Sequence, residues 1–159
     1  MLAWLTGTTV GKLLRCFILS MVPVLELRFA IPYGVLQGLE YHLVALASIL
    51  GNLVPVPIII IYVRKVFAWM RRKHRRLDDW VARMEKRAEE KGEKVRKYGI
   101  LGLCLLVAIP VPGTGAWTGS LVAAILGLRL KEALPPIILG VIIAAMITLS
   151  LTFGVSYIF

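Results

Sequence analysis

Apolar residues in this chain collect into four long blocks, Leu13 to Leu39, Leu43 to Trp69, Tyr98 to Leu128 and Ala133 to Phe159. Each exceeds the roughly 20 residues that a helix needs to cross the hydrocarbon core of a bilayer. Two of the four are interrupted. The first contains Val22-Pro23-Val24-Leu25-Glu26-Leu27-Arg28-Phe29-Ala30-Ile31-Pro32, a carboxylate and a guanidinium between two prolines. Proline removes a backbone donor and disfavours helix at the residue before it, so this block is predicted to break beside its charges. The third block carries two prolines, three glycines and three hydroxyls between Ile109 and Ser120. No continuous helix accommodates that density, so a turn and then a short helix are predicted there. Thr114, Thr118 and Ser120 are then available as caps or ligands, with backbone amides directed at an anion. Gly115 and Gly119 equally form a small-xxx-small pair suited to close helix packing. The second block is predicted to kink at Gly51-Asn52 with Pro55 and Pro57, and Asn52 is a further candidate for the site.

Between the second and third blocks the pattern turns polar. Fourteen of the 19 Lys and Arg residues lie from Arg64 to Lys97, with six acids from Asp78 to Glu93. Leu77, Trp80, Val81, Met84, Ala88 and Val95 recur among them at a rough 3.6 period, and Asp79 with Arg83, Glu90 with Lys94 and Glu93 with Lys97 sit at i,i+4. A surface helix of about seven turns is expected, a solvated or headgroup-lying connector. Anionic lipid is a candidate partner for Arg71-Arg72-Lys73-His74-Arg75-Arg76. Nucleic acid is not, because the run lacks aromatic interleaving and a domain to hold it. The positive-inside bias makes this linker cytoplasmic. The remaining charges are a near tie. Four spans would leave Arg129 and Lys131 outside, whereas folding the first and third blocks back would leave Lys12 and Arg15 outside.

Composition agrees with a membrane protein: 58% of residues are hydrophobic, 18% are charged and mean hydropathy is +0.81. The first block is too long for the apolar core of a secretory leader, so the mature chain is expected to start near Met1. Trp4, Tyr41, Tyr62, Trp69, Tyr98 and Tyr157 read as interface anchors, and Glu40 and His42 as interfacial. Cys16 and Cys104 read as small packing residues, not as a disulfide.

Cutting at the linker exposes a repeat, in which Met21-Val22-Pro23-Val24 corresponds to Ala108-Ile109-Pro110-Val111, and Gly51 to Gly140 within a couple of residues. Each half is an interrupted block followed by a continuous one. Interrupted segments in corresponding positions of two halves are the pattern of a transporter site at a repeat interface. A charge at the centre of a spanning helix costs roughly 2.5–3.5 kcal/mol by insertion scales, which marks Glu26 and Arg28 as functional candidates. Burial favours the neutral form of Glu26 and a nearby guanidinium favours the charged one. The first makes it a proton carrier and the second a partner in a lock or gate. Residues two apart on a helix do not face each other, so Arg28 either pairs with Glu26 across a broken backbone or is free for a substrate anion, which its planar fork suits.

The Glu26-Leu27-Arg28-Phe29-Ala30-Ile31-Pro32 and Pro110-Val111-Pro112-Gly113-Thr114-Gly115 segments, at this chain length, resemble the small multidrug export family, which is similar to the wider DedA and VTT group of membrane proteins. That resemblance implies two re-entrant hairpins entering from opposite faces, and the movement of polyprenyl phosphates or phospholipids between leaflets. Glu26 matches the acidic position of the first hairpin, and Pro110, Pro112 and Gly113 the turn of the second. The arginine of the second hairpin in that pattern is missing here. The nearest is Arg129, past the block, which leaves Arg28 as the intramembrane cation.

The expected architecture is all-α and integral to the membrane, one domain over 1–159. Two inverted repeats, 13–70 and 98–159, each a re-entrant broken-helix hairpin plus a transmembrane helix, are joined by a basic cytoplasmic helix over 71–97. The expected function is transport of an amphipathic substrate, an anionic lipid such as polyprenyl phosphate, coupled to a proton or ion gradient. A proton-coupled exporter of cationic drugs and a non-transporting structural protein are the alternatives. Candidate substrate- or ion-binding residues are Glu26, Arg28, Pro32, Asn52, Pro110, Pro112, Gly113, Thr114, Gly115, Trp117 and Thr118. No cofactor, metal or catalytic group is expected: His42 and His74 lack ligand companions, and no phosphate loop, nucleophile elbow or H-E-x-x-H occurs. Membrane lipids and a second copy, in a homodimer, are the expected partners.

Overall fold

The computed structural model describes residues 7–73, 75–111 and 114–156, so Trp4, His74, Pro112, Gly113 and Tyr157 lie outside the described residues. Those residues form helices and no strand: α1 Thr9–Met21, α2 Glu26–Leu36, α3 Tyr41–Leu53, α4 Pro55–Lys73, α5 Arg75–Tyr98, α6 Ile100–Ala108, α7 Ala116–Ile125 and α8 Leu130–Ser156. The Thr8 hydroxyl accepts from the Gly11 amide at 3.2 Å and so caps α1, serving one of the donors a helix start leaves unpaired.

The four apolar blocks divide by length. Helices α3 and α4 join into one apolar rod, Tyr41–Arg72, of 32 residues, and α8 contributes Leu130–Gly154, of 25 residues. At 1.5 Å per residue both exceed the roughly 30 Å of a hydrocarbon core. By contrast α1, α2, α6 and α7 have 13, 11, 9 and 10 residues, and each spans only about half to two-thirds of that thickness. The first and third blocks are therefore pairs of half-length helices meeting at a break, as their prolines and glycines predict.

Two expected interruptions fall elsewhere. Pro32 lies inside α2 and does not break it. The helix instead gives up one backbone bond and is held by burial of Leu27, Ala30, Ile31 and Gly34, so packing overrides the local penalty. The interruption expected at Gly51-Asn52 comes at Val54, between α3 and α4, where Pro55 and Pro57 offer no amide to the carbonyls of Gly51 and Leu53 although Val54 itself keeps helical φ and ψ.

Tyr41, at the start of α3, meets Phe153, near the end of α8, edge-on with ring centroids 5.7 Å apart, so the two long apolar helices run in opposite directions. Lys12 donates to the Gln37 carbonyl at 3.0 Å, which ties the start of α1 to the end of α2. Close packing repeats between the halves. Gly51 of α3 lies against the backbone carbonyl of Phe17 in α1, and a Cβ on Gly140 of α8 would stand 2.8 Å from the carbonyl oxygen of Cys104 in α6. In both halves a glycine lets a long helix touch the backbone of a short one.

The linker is not a solvated connector. Helix α5 buries Val81, Ala88 and Val95 and packs on α4, α6 and α7. The three recur every seven residues, and their small side chains let an otherwise charged helix lie close to the bundle. Arg71, late in α4, braces it through ion pairs to Asp78 at 3.7 Å and to Glu85.

Candidate functional site

The two breaks face each other, and the second receives both charged groups of the first. In the first, Val24 and Glu26 are the non-glycine residues with positive φ among the described residues, at 79° and 48°. A β-branched side chain in that region is strained, and such strain persists only where surrounding contacts impose it. Here they aim Glu26 at the second break. Glu26 is 4% exposed, and its Oε1 accepts from the backbone amide of Trp117 at 3.3 Å. The Ala116 amide lies beside the same carboxylate. These are first-turn donors of α7, which have no intrahelical acceptor, and the positive end of that helix favours an anion there.

Arg28, two residues on, takes the complementary position at the end of α6. Its Nη1 donates to the carbonyls of Val111 at 2.5 Å and Thr114 at 2.8 Å. Its Nη2 donates to the Ile109 carbonyl at 2.8 Å and to the Thr114 hydroxyl at 3.2 Å. That hydroxyl stands 2.8 Å from the Ile109 carbonyl and 2.7 Å from that of Val111, with one proton to give to either. The loop after α6 thus wraps its oxygens around a guanidinium, a negative helix end receiving a cation. A third contact runs the other way. Trp117 Nε1 donates to the carbonyl of Met21, the last residue of α1, at 3.1 Å.

The sequence expectations sort accordingly. The amides predicted to face an incoming anion do face one, but it is Glu26 of the chain itself. Arg28 makes no ion pair with Glu26 among the described residues, and both its terminal nitrogens are engaged by the second break. Pro110 lies in the second break, while Pro112 and Gly113 fall outside the described residues. Gly115 adopts φ 133° and lies under the Glu26 carboxylate. Pro32 belongs to the body of α2, and Asn52 is 1% exposed in the buried stripe of α3 with its Oδ1 unpartnered. Neither lines the cavity between the breaks.

A cavity of about 310 Å³ opens between the breaks, with Glu26, Thr114, Trp117 and Thr118 on one side. Its other walls come from Ile59, Val63 and Phe67 of α4 and from Trp80 and Met84 of α5. Sequence reading missed these five, although Trp80 and Met84 stand in the periodic apolar stripe of the linker, which was the available signal. A second apolar cavity, about 280 Å³, lies away from both breaks; its acid, Glu132, is taken up by the backbone amide of Arg129 at 3.0 Å, ahead of α8.

The sequence model of a family described as "Putative small multi-drug export protein" matches residues 26–147. The chain belongs to that family. The small multi-drug export match begins at Glu26, takes in both charged residues of the first break, and continues through the second break, α5 and most of α8. No curated protein matches the chain, and no solved structure does. With two helices long and apolar enough to cross a bilayer, membership in this export family makes it a membrane protein of a transporter family.

Proposed function

We propose that the protein exports amphipathic cations across a membrane through the cavity between its two breaks, with Glu26 as the acid that receives the cation or a proton. The observation that carries this reading is the cavity itself, apolar on most sides and with Glu26 as the ionisable group in its wall. Such a site suits a lipophilic cation, because apolar surface holds the body and one carboxylate selects the charge. Loading Glu26 weakens its hold on the amides of α7, so filling the site loosens the contact between the breaks and couples occupancy to movement. A proton and a cation compete for the same carboxylate, which is the condition for antiport.

An anionic lipid, the substrate class expected from sequence, needs a guanidinium free to meet its phosphate. The carbonyls of Ile109, Val111 and Thr114 already occupy Arg28. Glu26 is likewise held, by the α7 amides, but it lines the cavity and Arg28 does not, so the cation reading takes precedence. The topology we infer has the two half-helix hairpins entering from opposite faces, as inverted repeats, with α5 on the cytoplasmic side. Support comes from the opposed directions of α3 and α8, the short α1, α2, α6 and α7, and the basic excess of the linker.

The test is flux in reconstituted liposomes of a lipophilic cation and, separately, a fluorescent polyprenyl phosphate, for the parent chain, Glu26→Gln and Arg28→Gln, with and without a pH gradient. Gradient-dependent movement of the cation, lost by more than about tenfold in Glu26→Gln, is expected. Unchanged cation flux in Glu26→Gln sinks the reading. So does movement of the phosphate that Arg28→Gln stops while the variant remains folded.

A further inference from the structure

We propose that Trp80 and Met84 of helix α5 contact the cargo directly and select flat aromatic cations over compact aliphatic ones. This inference rests on the reading of the Glu26 cavity as a cation site. Helix α5 docks through Val81, Ala88 and Val95, which are 0%, 2% and 5% exposed. Trp80 is not one of these three, and it keeps 44% of its surface exposed. Its indole meets the buried ring of Phe67 edge-on, with centroids 6.4 Å apart and planes at 85°, which fixes the ring's orientation where it enters the cavity wall. Arg71, paired with Asp78 and Glu85, holds the same stretch of α5 to α4 on either side of Trp80 and Met84 in sequence.

Trp117 of α7 lines the same cavity, its indole pinned by the Met21 carbonyl. Two indoles from different helices and one carboxylate therefore share about 310 Å³, near the lower end of the roughly 300–1,000 Å³ of small-molecule sites. Both a fused-ring cation and a tetraalkylammonium gain from the carboxylate and from cation–aromatic attraction, but only the fused ring adds stacking on an indole, and that stacking is what separates them. The Met84 thioether, flexible and polarisable, adapts to rings of different outline.

Equilibrium dialysis of the full-length protein with ethidium and with tetrabutylammonium, for the parent, Trp80→Leu, Trp80→Phe and Glu26→Gln, tests this. Trp80→Leu should weaken ethidium about tenfold, the upper scale of a stacked aromatic pair, weaken tetrabutylammonium by no more than about threefold, and be largely rescued in Trp80→Phe. Trp80→Gln repeats the measurement should the Leu variant not fold. If Trp80→Leu and Trp80→Gln weaken both cations equally or neither, while Glu26→Gln still abolishes ethidium binding, the selectivity role of α5 is overturned and the cation site stands. If the parent binds neither cation, or Glu26→Gln binds like the parent, the cation site fails and this inference with it.

Discussion

Gly115 leaves the position of its absent Cβ to the carboxylate of Glu26. A methyl there would meet Oε2 first and would stand 2.7 Å from Cδ and 2.8 Å from Oε1. Gly115 also holds φ at 133°, outside the range of L side chains. One residue thus supplies both the turn into α7 and the space in which a buried acid reaches that helix's first amides. Gly115→Ala should destabilise the protein by about 2–4 kcal/mol, from backbone strain and overpacking together. Thermal unfolding in detergent measures it. In a double-mutant cycle with Glu26→Ala the clash is relieved and the strain is not, so the combined loss should be smaller than the sum of the single losses. Strict additivity would mean that the two residues do not share the space.

Arg28→Lys should cost about 2 kcal/mol or more, although it keeps the charge. An ammonium lacks the planar fork that reaches three carbonyls and a hydroxyl on one loop. The measurement is the unfolding midpoint of the Lys variant beside the parent. Unchanged stability would show that the loop closes without the fork.

Trp117→Phe should lose about 1 kcal/mol through the hydrogen bond to the Met21 carbonyl, with the ring's apolar contacts mostly kept. Hydrogen exchange should speed at the end of α1 more than at its start. Uniform exchange along α1 would contradict a local clamp.

Two glycine substitutions should act in opposite directions. Gly51→Ala pushes a methyl into the Phe17 backbone, which cannot rotate away, and should cost about 3 kcal/mol or prevent folding. Gly92→Ala, within α5, has flexible Leu126 side-chain atoms as its nearest neighbours at 3.4–3.5 Å, and should gain up to about 1 kcal/mol from helix propensity. Comparing the two unfolding midpoints with the parent checks both signs.

Asn52→Leu should keep or raise stability, by about 1 kcal/mol, because Oδ1 is buried without a partner. Cation flux should be unaffected, since Asn52 does not line the cavity. Flux lost in a folded Asn52→Leu variant would return this residue to the site.

The sequence by itself determined the helical class, the apolar blocks, the division of each half into a broken and a continuous element, and the choice of Glu26 and Arg28 as candidates. These follow from hydropathy, from proline's missing amide and from the cost of charge in apolar surroundings, all properties of local sequence. Partners were decided only by the tertiary structure. Residues 26 and 115, or 28 and 111, are far apart in the chain, and no periodicity records which helix end a buried charge will serve. The same holds for Pro32, where burial of Leu27 and Ile31 keeps α2 intact, and for α5, where the charges suggest solvent but Val81, Ala88 and Val95 pack the helix onto the bundle. A local rule states what a segment tolerates, whereas packing between segments decides which tolerated state is occupied, because most helix stability in a folded protein comes from the surfaces that helices bury against one another.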